Sequence, residues 1–243
     1  MSLLIVDQAT KRFGGVTAVN EVTFAVTKGE TVGLLGPNGS GKTTLINLIS
    51  GALPVSGGEV RLNGQLLTGK RPDQIARAGV ARTFQLVRIL PSLTLTENVM
   101  VPAVFGAKSH WGPAAEQVAK DALDKVGLAH RADVQAADLT YIDQKRLELA
   151  RALAAEPELL LLDEWLAGLN PTELGQGIAL IRSLTDLGIS ILMVEHIMEA
   201  IRALCPRSLV MNSGRLIADG PTGEVLSDPH VVAAYLGEVD EDA

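Results

Sequence analysis

Apolar residues fall in two patterns along this chain, and the change between them outlines the fold. In the first sixty residues, "SLLIVDQA", "EVTFAVT", "ETVGLLG" and "GEVRLNG" are short runs separated by Gly, Lys and Asn turns. Each reads as a β-strand. From Thr43 the spacing turns helical in "TTLINLIS", and Gly51 supplies a stop. Later the chain alternates differently. A helix over 140–155 leads to an apolar strand at 159–163, a helix over 172–187 and a second apolar strand at 189–194. "SLVMNSGRLIADG" then reads as strand, turn and strand, and "SDPHVVAAYLG" as a final helix. Helices alternating with continuously apolar strands predict an α/β fold whose parallel sheet is covered on both faces. The stretch from about 86 to 138 stands apart. "PSLTLTENVMVPAVFG", a Gly/Pro/Trp break and "AAEQVAKDALDKVGL" read as a helical insertion.

The helix that follows the insertion opens on "DLTYIDQKRLELARAL", with Thr140 as cap and Asp143 three residues on. Free N–H groups at such a cap attract anions, yet an acid stands in the first turn and Ile142 just before it.

With 243 residues there is room for one large domain or a domain plus a subdomain. A hydrophobic fraction of 47% suits buried sheets, while the apolar runs are far too short to span a bilayer. "MSLLIVDQATK" lacks a basic lead, so no signal peptide is expected. Cys205 is the sole cysteine and excludes an internal disulfide, which fits a reducing compartment. A net charge of −7 and an aromatic content of 3% argue against nucleic acid or anionic lipid as a partner. Any membrane contact is therefore expected through another protein.

The candidate chemistry begins at "GPNGSGKTT", which matches G-x-x-x-x-G-K-[ST] between an apolar strand and a helix. Its members are Gly36, Pro37, Asn38, Gly39, Ser40, Gly41, Lys42, Thr43 and Thr44. The bare pattern arises by chance in roughly one chain in a hundred of this length, so the flanking strand and helix carry the reading. Glycines let the backbone wrap an anion, and the helix dipole adds to the nest. Lys42 is placed to reach β- and γ-phosphates, and Thr43 to ligate Mg2+. "PELLLLDE" puts Asp163 and Glu164 at the carboxyl end of a buried strand, where ligands of open α/β sheets bind. Asp163 suits the metal and Glu164 suits a general base for the attacking water. "SILMVEHIMEA" ends another strand in Glu195-His196. A histidine there fits a structural place as well as contact with a γ-phosphate.

These motifs follow one another in a particular order: the phosphate loop, "RTFQ", the helical insertion, "LTYIDQKR", "LLLLDE", "AGLNP" and "VEH". That order resembles the ATP-binding subunits of ABC transporters over essentially the whole chain. "RFGGVTAVNEV", "LTLTENV" and "DGPTGEVLSDPHVVAAYLG" look like the group that energises import of branched-chain amino acids, urea, amides or related solutes. The resemblance implies a single ATPase domain over 1–243. Within it, a RecA-like phosphate-loop core with an antiparallel β subdomain would span 1–85 and 139–243, and a helical subdomain 86–138.

The same resemblance implies roles for matched positions. Phe13 would stack on adenine; its other reading is a core aromatic. Gln85 would contact Mg2+ or water, and His196 would be the switch histidine. Gly168, Leu169 and Asn170 would form a loop crossing to a partner's site, with Asn170 where Asp is usual; a plain turn closed by Pro171 is the other reading. Trp165 stands where proline usually follows the acidic pair, and is expected to pack beside the strand end. ATP and Mg2+ are the implied cofactors. The implied partners are transmembrane permease subunits, a second ATP-binding subunit of the same or homologous kind, and indirectly a periplasmic or extracellular solute-binding protein. The segment near "LVRILPSLTLTENV" would face the permease. The implied location is the cytoplasmic face of the inner or plasma membrane, peripheral through the permease.

"LTYIDQKR" occupies the place of the family signature, commonly L-S-G-G-Q-x-x-R, which closes over ATP held by the opposite subunit. Thr140 keeps a hydroxyl and Arg146 the basic position. Tyr141 replaces the first glycine, Ile142 the second, and Asp143 the glutamine. With Thr140 as N-cap, the next three residues take negative φ, so Ile142 fits and keeps its N–H. Asp143 gains roughly 0.3–1 kcal/mol from the helix dipole and can return a bond to the cap. A phosphate charge at ~6 Å would cost nearly ~3 kcal/mol at an effective dielectric of ~20. Repulsion wins unless Asp143 turns to a ribose hydroxyl, Lys145 or Arg146. Three classes follow: a transport ATPase with asymmetric sites, a nucleotide-gated subunit of low turnover, and a non-transport soluble ABC ATPase. Acidity and the lack of a long coiled coil disfavour the third.

Overall fold

The structure is a computed structural model that describes residues 2–236. Strands β1 (Ser2–Phe13) and β2 (Val16–Thr27) form a long hairpin, and β3 (Thr31–Leu35) runs into α1 (Lys42–Ile49). Next come β4 (Gly57–Leu62), β5 (Gln65–Leu66), α2 (Pro72–Arg77) and β6 (Val80–Arg82). The insertion holds α3 (Leu95–Phe105) and α4 (Pro113–Lys125). Then α5 (Tyr141–Ala154), β7 (Leu159–Asp163), α6 (Pro171–Asp186), β8 (Ser190–Val194) and α7 (Met198–Leu204) alternate. The chain closes with β9 (Arg207–Asn212), β10 (Arg215–Pro221), α8 (Thr222–Val225) and α9 (Pro229–Leu236).

Two sheets result. One has the order β10-β9-β3-β8-β7-β6, parallel except for β10, and the other is an antiparallel β2-β1-β4-β5 sheet. The parallel sheet is buried on both faces, as its apolar runs predict, but its two covers differ. Along β7, Leu160 and Leu162 join a core built with helices α3 to α7. Leu159 and Leu161 point the other way, into a core shared with β1, β2, β4 and α1. The period-2 alternation of side chains splits one run of leucines between two cores.

The apolar pattern of the sequence does not show β6, α2 or α7. Three residues give β6 no periodic signal, and pairing with β7 is what makes it a strand. The insertion starts later as helix than its composition implies. Thr94 caps α3 and shares a capping box with Glu97. Upstream, the buried Asn98 side chain accepts from the Leu90 N–H and donates to the Leu90 carbonyl. α3, α4 and α5 pack on one another.

Candidate functional site

The turn from β3 into α1 has the geometry that its glycines permit. Gly36, Gly39 and Gly41 have φ of 142°, 71° and 104°. A Cβ on Gly36 would run into the Met211 carbonyl of β9, and one on Gly41 into the Ala18 carbonyl of β2. Only glycine satisfies both the dihedral and the space. No side chain caps the start of α1. Lys42 turns back over its own loop, donating to the Gly36 carbonyl at 2.6 Å and the Pro37 carbonyl at 2.8 Å. The Gly36 N–H donates to the Tyr235 hydroxyl of α9 at 2.7 Å. The buried Ser40 hydroxyl has no hydrogen-bond partner. A cavity of 170 Å³ opens over this cradle, lined by Gly39–Thr44 together with Asn38, Ala18, Glu164 and His196. An uncapped helix start, a lysine held by weak carbonyl acceptors and an orphaned hydroxyl form a donor set suited to phosphate oxygens.

Opposite the cradle, β7 delivers the two carboxylates. Asp163 is buried. Glu164 has φ +51°, a rare conformation for a non-glycine, and its N–H donates to the Val194 carbonyl. That turn carries its side chain to the cavity wall. Gln85 donates to one Glu164 oxygen at 2.6 Å, and His196 Nε2 lies 3.2 Å from the other. The three residues singled out for catalysis therefore meet at one point. Next to them, burial pushes the Glu195 carboxyl up to about 7, while the Leu166 N–H it accepts and the His196 N–H pull the other way. Among the described residues no cluster of three or more His, Cys, Asp or Glu could hold a metal. A hard cation that takes its other ligands from phosphates and water needs no such cluster, and Thr43, Gln85 and Asp163 supply oxygens suited to it.

Phe13 is half-exposed at the end of β1, paired across the hairpin with the exposed Val16 and 5.0 Å from the Lys11 ammonium. It is not a core aromatic, and it lies outside the phosphate cavity, on the same hairpin as Ala18.

Thr140, Tyr141, Ile142 and Asp143 do not line the phosphate cavity of their own chain. Thr140 is the N-cap of α5 and its hydroxyl accepts from the Asp143 N–H. Of the partners open to Asp143, its carboxylate takes Arg146 at 3.3 Å and adds Arg131 at 2.8 Å, with no return bond to the cap. Two guanidiniums draw a carboxylate more strongly than one backbone N–H does. Arg146 also donates to Gln176 of α6. Lys145 does not reach Asp143. It is buried, donates to the Trp165 carbonyl at 2.8 Å, and lies 5.1 Å from the Tyr141 ring.

Trp165 returns the contact, donating from Nε1 to the Lys145 carbonyl at 3.1 Å. The reciprocal pair ties α5 to the residue after Glu164. Gly177 in α6 makes room, because a Cβ there would sit 2.6 Å from Leu166 and 3.3 Å from Trp165. Gly168 packs against the Tyr141 ring, and Asn170 caps α6 by accepting from the Glu173 N–H. An asparagine caps as well as the usual aspartate.

Sequence reasoning overlooked Arg131, Tyr235 and Arg82. Arg82 donates to Asp163 at 2.6 Å. The only hint of it was its place directly before "TFQ".

A family described as ABC transporter matches residues 19–167, and one described as branched-chain amino acid ATP-binding cassette transporter matches residues 215–241. The high-affinity branched-chain amino acid transport ATP-binding protein LivG of Salmonella typhimurium is 40% identical, over 97% of this chain and 98% of its own length. BraF of Pseudomonas aeruginosa, with the same description, is 38% identical over the same shares. A crystal structure of an ATP-binding cassette of an ABC transporter in its ADP conformation superposes with TM-score 0.87 at 32% identity, covering 98% of this chain and 99% of that one.

Proposed function

The chain belongs to the ABC transporter family, as an ATP-binding subunit whose ATPase activity powers a transporter with membrane permease partners; from that premise we propose that it drives uptake of branched-chain amino acids or related small solutes by hydrolysing Mg-ATP at the cavity over Gly36–Thr44. The single observation that carries the catalytic reading is the grip on Glu164. Both of its oxygens are held, by Gln85 and His196, on the wall of a cavity whose floor is the phosphate loop.

In this reading Lys42 leaves the carbonyls of Gly36 and Pro37 for phosphate oxygens, a stronger charge-assisted contact. Thr43, Asp163 and Gln85 would hold Mg2+, which would neutralise charge on the phosphates. Glu164 accepts a proton from the attacking water, with Gln85 orienting it and His196 meeting the γ-phosphate side. Phe13 offers a half-exposed ring for the adenine. In trans, Thr140, Tyr141, Ile142 and Asp143 close over the nucleotide of the second ATP-binding subunit. The objection to that role was the Asp143 charge. Arg131 and Arg146 answer it, because two guanidiniums against one carboxylate leave the turn net cationic. This weakens the case for a low-turnover subunit.

A larger cavity of 380 Å³ supports the permease contact. Its walls include Ser50, Ile75, Phe84, Pro102 and Ala155, and exposed Leu86 stands in the loop beyond Phe84. A cytoplasmic helix of the permease fits such an apolar groove. No helix among the described residues is long and apolar enough to cross a membrane.

The test is phosphate release and leucine uptake by the assembled transporter carrying Glu164→Gln. We expect nucleotide still to bind while release and uptake fall by roughly a hundredfold or more. Unchanged phosphate release would refute the catalytic reading; full activity with urea but not leucine would redirect the solute.

A further inference from the structure

Arg82 touches three parts of the molecule with one guanidinium. One terminal nitrogen donates to Asp163 Oδ2 at 2.6 Å. The other donates to Asn47 Oδ1 at 2.6 Å and Ser50 Oγ at 3.3 Å, at the carboxyl end of α1. The same side chain lines the 380 Å³ groove. It is one-tenth exposed, so solvent screens its pairing with Asp163 little. Its remaining nitrogen, Nε, is buried without a hydrogen-bond partner. Two further groove residues carry orphans of the same kind, Glu148 Oε2 and Arg151 Nε. Buried polar atoms without partners are costly and uncommon, so these three side chains are less tightly fixed by hydrogen bonds than buried charged groups usually are. With Arg82 paired to Asp163, the remaining charges on that surface are Arg88 and Arg151 against Glu148, an excess of positive charge. A carboxylate is the complement it lacks.

A guanidinium 2.6 Å from Asp163 also neutralises the carboxylate best placed for a divalent cation. The two cations compete for one anion. We propose that Arg82 is a positioning residue that restrains Asp163, and that an acidic side chain of the permease segment seated in the groove draws the guanidinium away and frees Asp163 for the metal. The inference rests on the docking reading given above. It makes the metal-binding carboxylate answer to occupancy of the groove through one side chain.

The experiment measures retention of a fluorescent ATP analogue against Mg2+ concentration, for the isolated full chain and for the chain assembled with the permease subunits that co-purify with it. Assembly is expected to lower the Mg2+ concentration for half-maximal retention by at least threefold in the unaltered chain. Arg82→Met is expected to lower it about tenfold in the isolated chain, with retention in EDTA unchanged and no further fall on assembly. Arg82→Lys keeps the charge but loses the fork, and should lie between, also without the assembly shift. A side chain that merely supports the fold would raise the Mg2+ requirement on removal, so the direction separates the two roles. The proposal is overturned if both variants need as much Mg2+ as the unaltered chain or more, or if assembly still lowers their requirement. If Arg82→Met melts early, Arg82→Lys decides. Permeases that fail to co-purify with the unaltered chain would sink the docking reading itself, whereas co-purification without any Mg2+ shift would sink only the role of Arg82.

Discussion

Asp143 shows how a residue that looks wrong in a motif can be made tolerable from a distance. The sequence offers Lys145 and Arg146 as partners, because they lie two and three positions away. Arg146 does answer, but the shorter contact comes from Arg131, twelve residues upstream in the insertion. No periodicity ties those two positions, so the pairing was illegible before the fold was known. Arg82 and Asp163, 81 residues apart, are hidden for the same reason. Glu164 and His196 were legible because each follows a buried strand, whereas Gln85 stood out only through the order of motifs in the resemblance. If the Arg131 pairing is what makes the turn acceptable to a phosphate, Arg131→Ala should weaken ATP-induced association of the two ATP-binding subunits by roughly tenfold, about 1.4 kcal/mol. Arg131→Ala with Asp143→Asn should recover much of that loss. Sedimentation with ATP in the Glu164→Gln background reads both. A double variant as poor as the single one would mean that Arg131 acts without Asp143.

Whole elements were legible where their apolar pattern was long. β3, β7 and β8, each fully buried, stood out as unbroken runs, and α5 and α6 lie within a residue or so of their expected bounds. What the patterns hid is how elements are fastened. α5 is locked to the end of β7 by the reciprocal bonds of Lys145 and Trp165, and Gly177 of α6 leaves the room that Leu166, and to a lesser degree Trp165, occupies. Read by helix propensity alone, Gly177→Ala should stabilise the protein by about 1 kcal/mol. The packing predicts the opposite sign, a loss of about 1–3 kcal/mol, because a methyl group would press on Leu166 and Trp165. Urea unfolding of the variant decides between them. A gain in stability would show that the three residues have slack.

At the scale of the molecule, one parallel sheet serves two cores and brings both the phosphate loop and the carboxylates to the ends of its strands. The fold class and the order of motifs were readable from 243 letters because they depend on runs and turns. The groove was not, because its walls come from α2, β6, α3, α5 and the turn that follows α1 together. The altered turn at Thr140–Asp143 faces a second subunit in the proposed assembly, so the two ATP sites differ if the partner carries an ordinary signature. Glu164→Gln here and the equivalent change in the partner should then reduce ATPase activity of the complete transporter unequally, by about threefold or more between the two. Equal losses would argue for equivalent sites. The bond between Gly36 and Tyr235 adds an element of time. The ribosome makes the glycine early and its phenol 199 residues later, so at ~5–20 residues per second the loop waits on the order of 10–40 s for its clamp. A chain that has not yet reached that tyrosine carries every motif of the nucleotide site and still lacks the strut that holds its first glycine, which makes synthesis of α9 the last step in building the cradle.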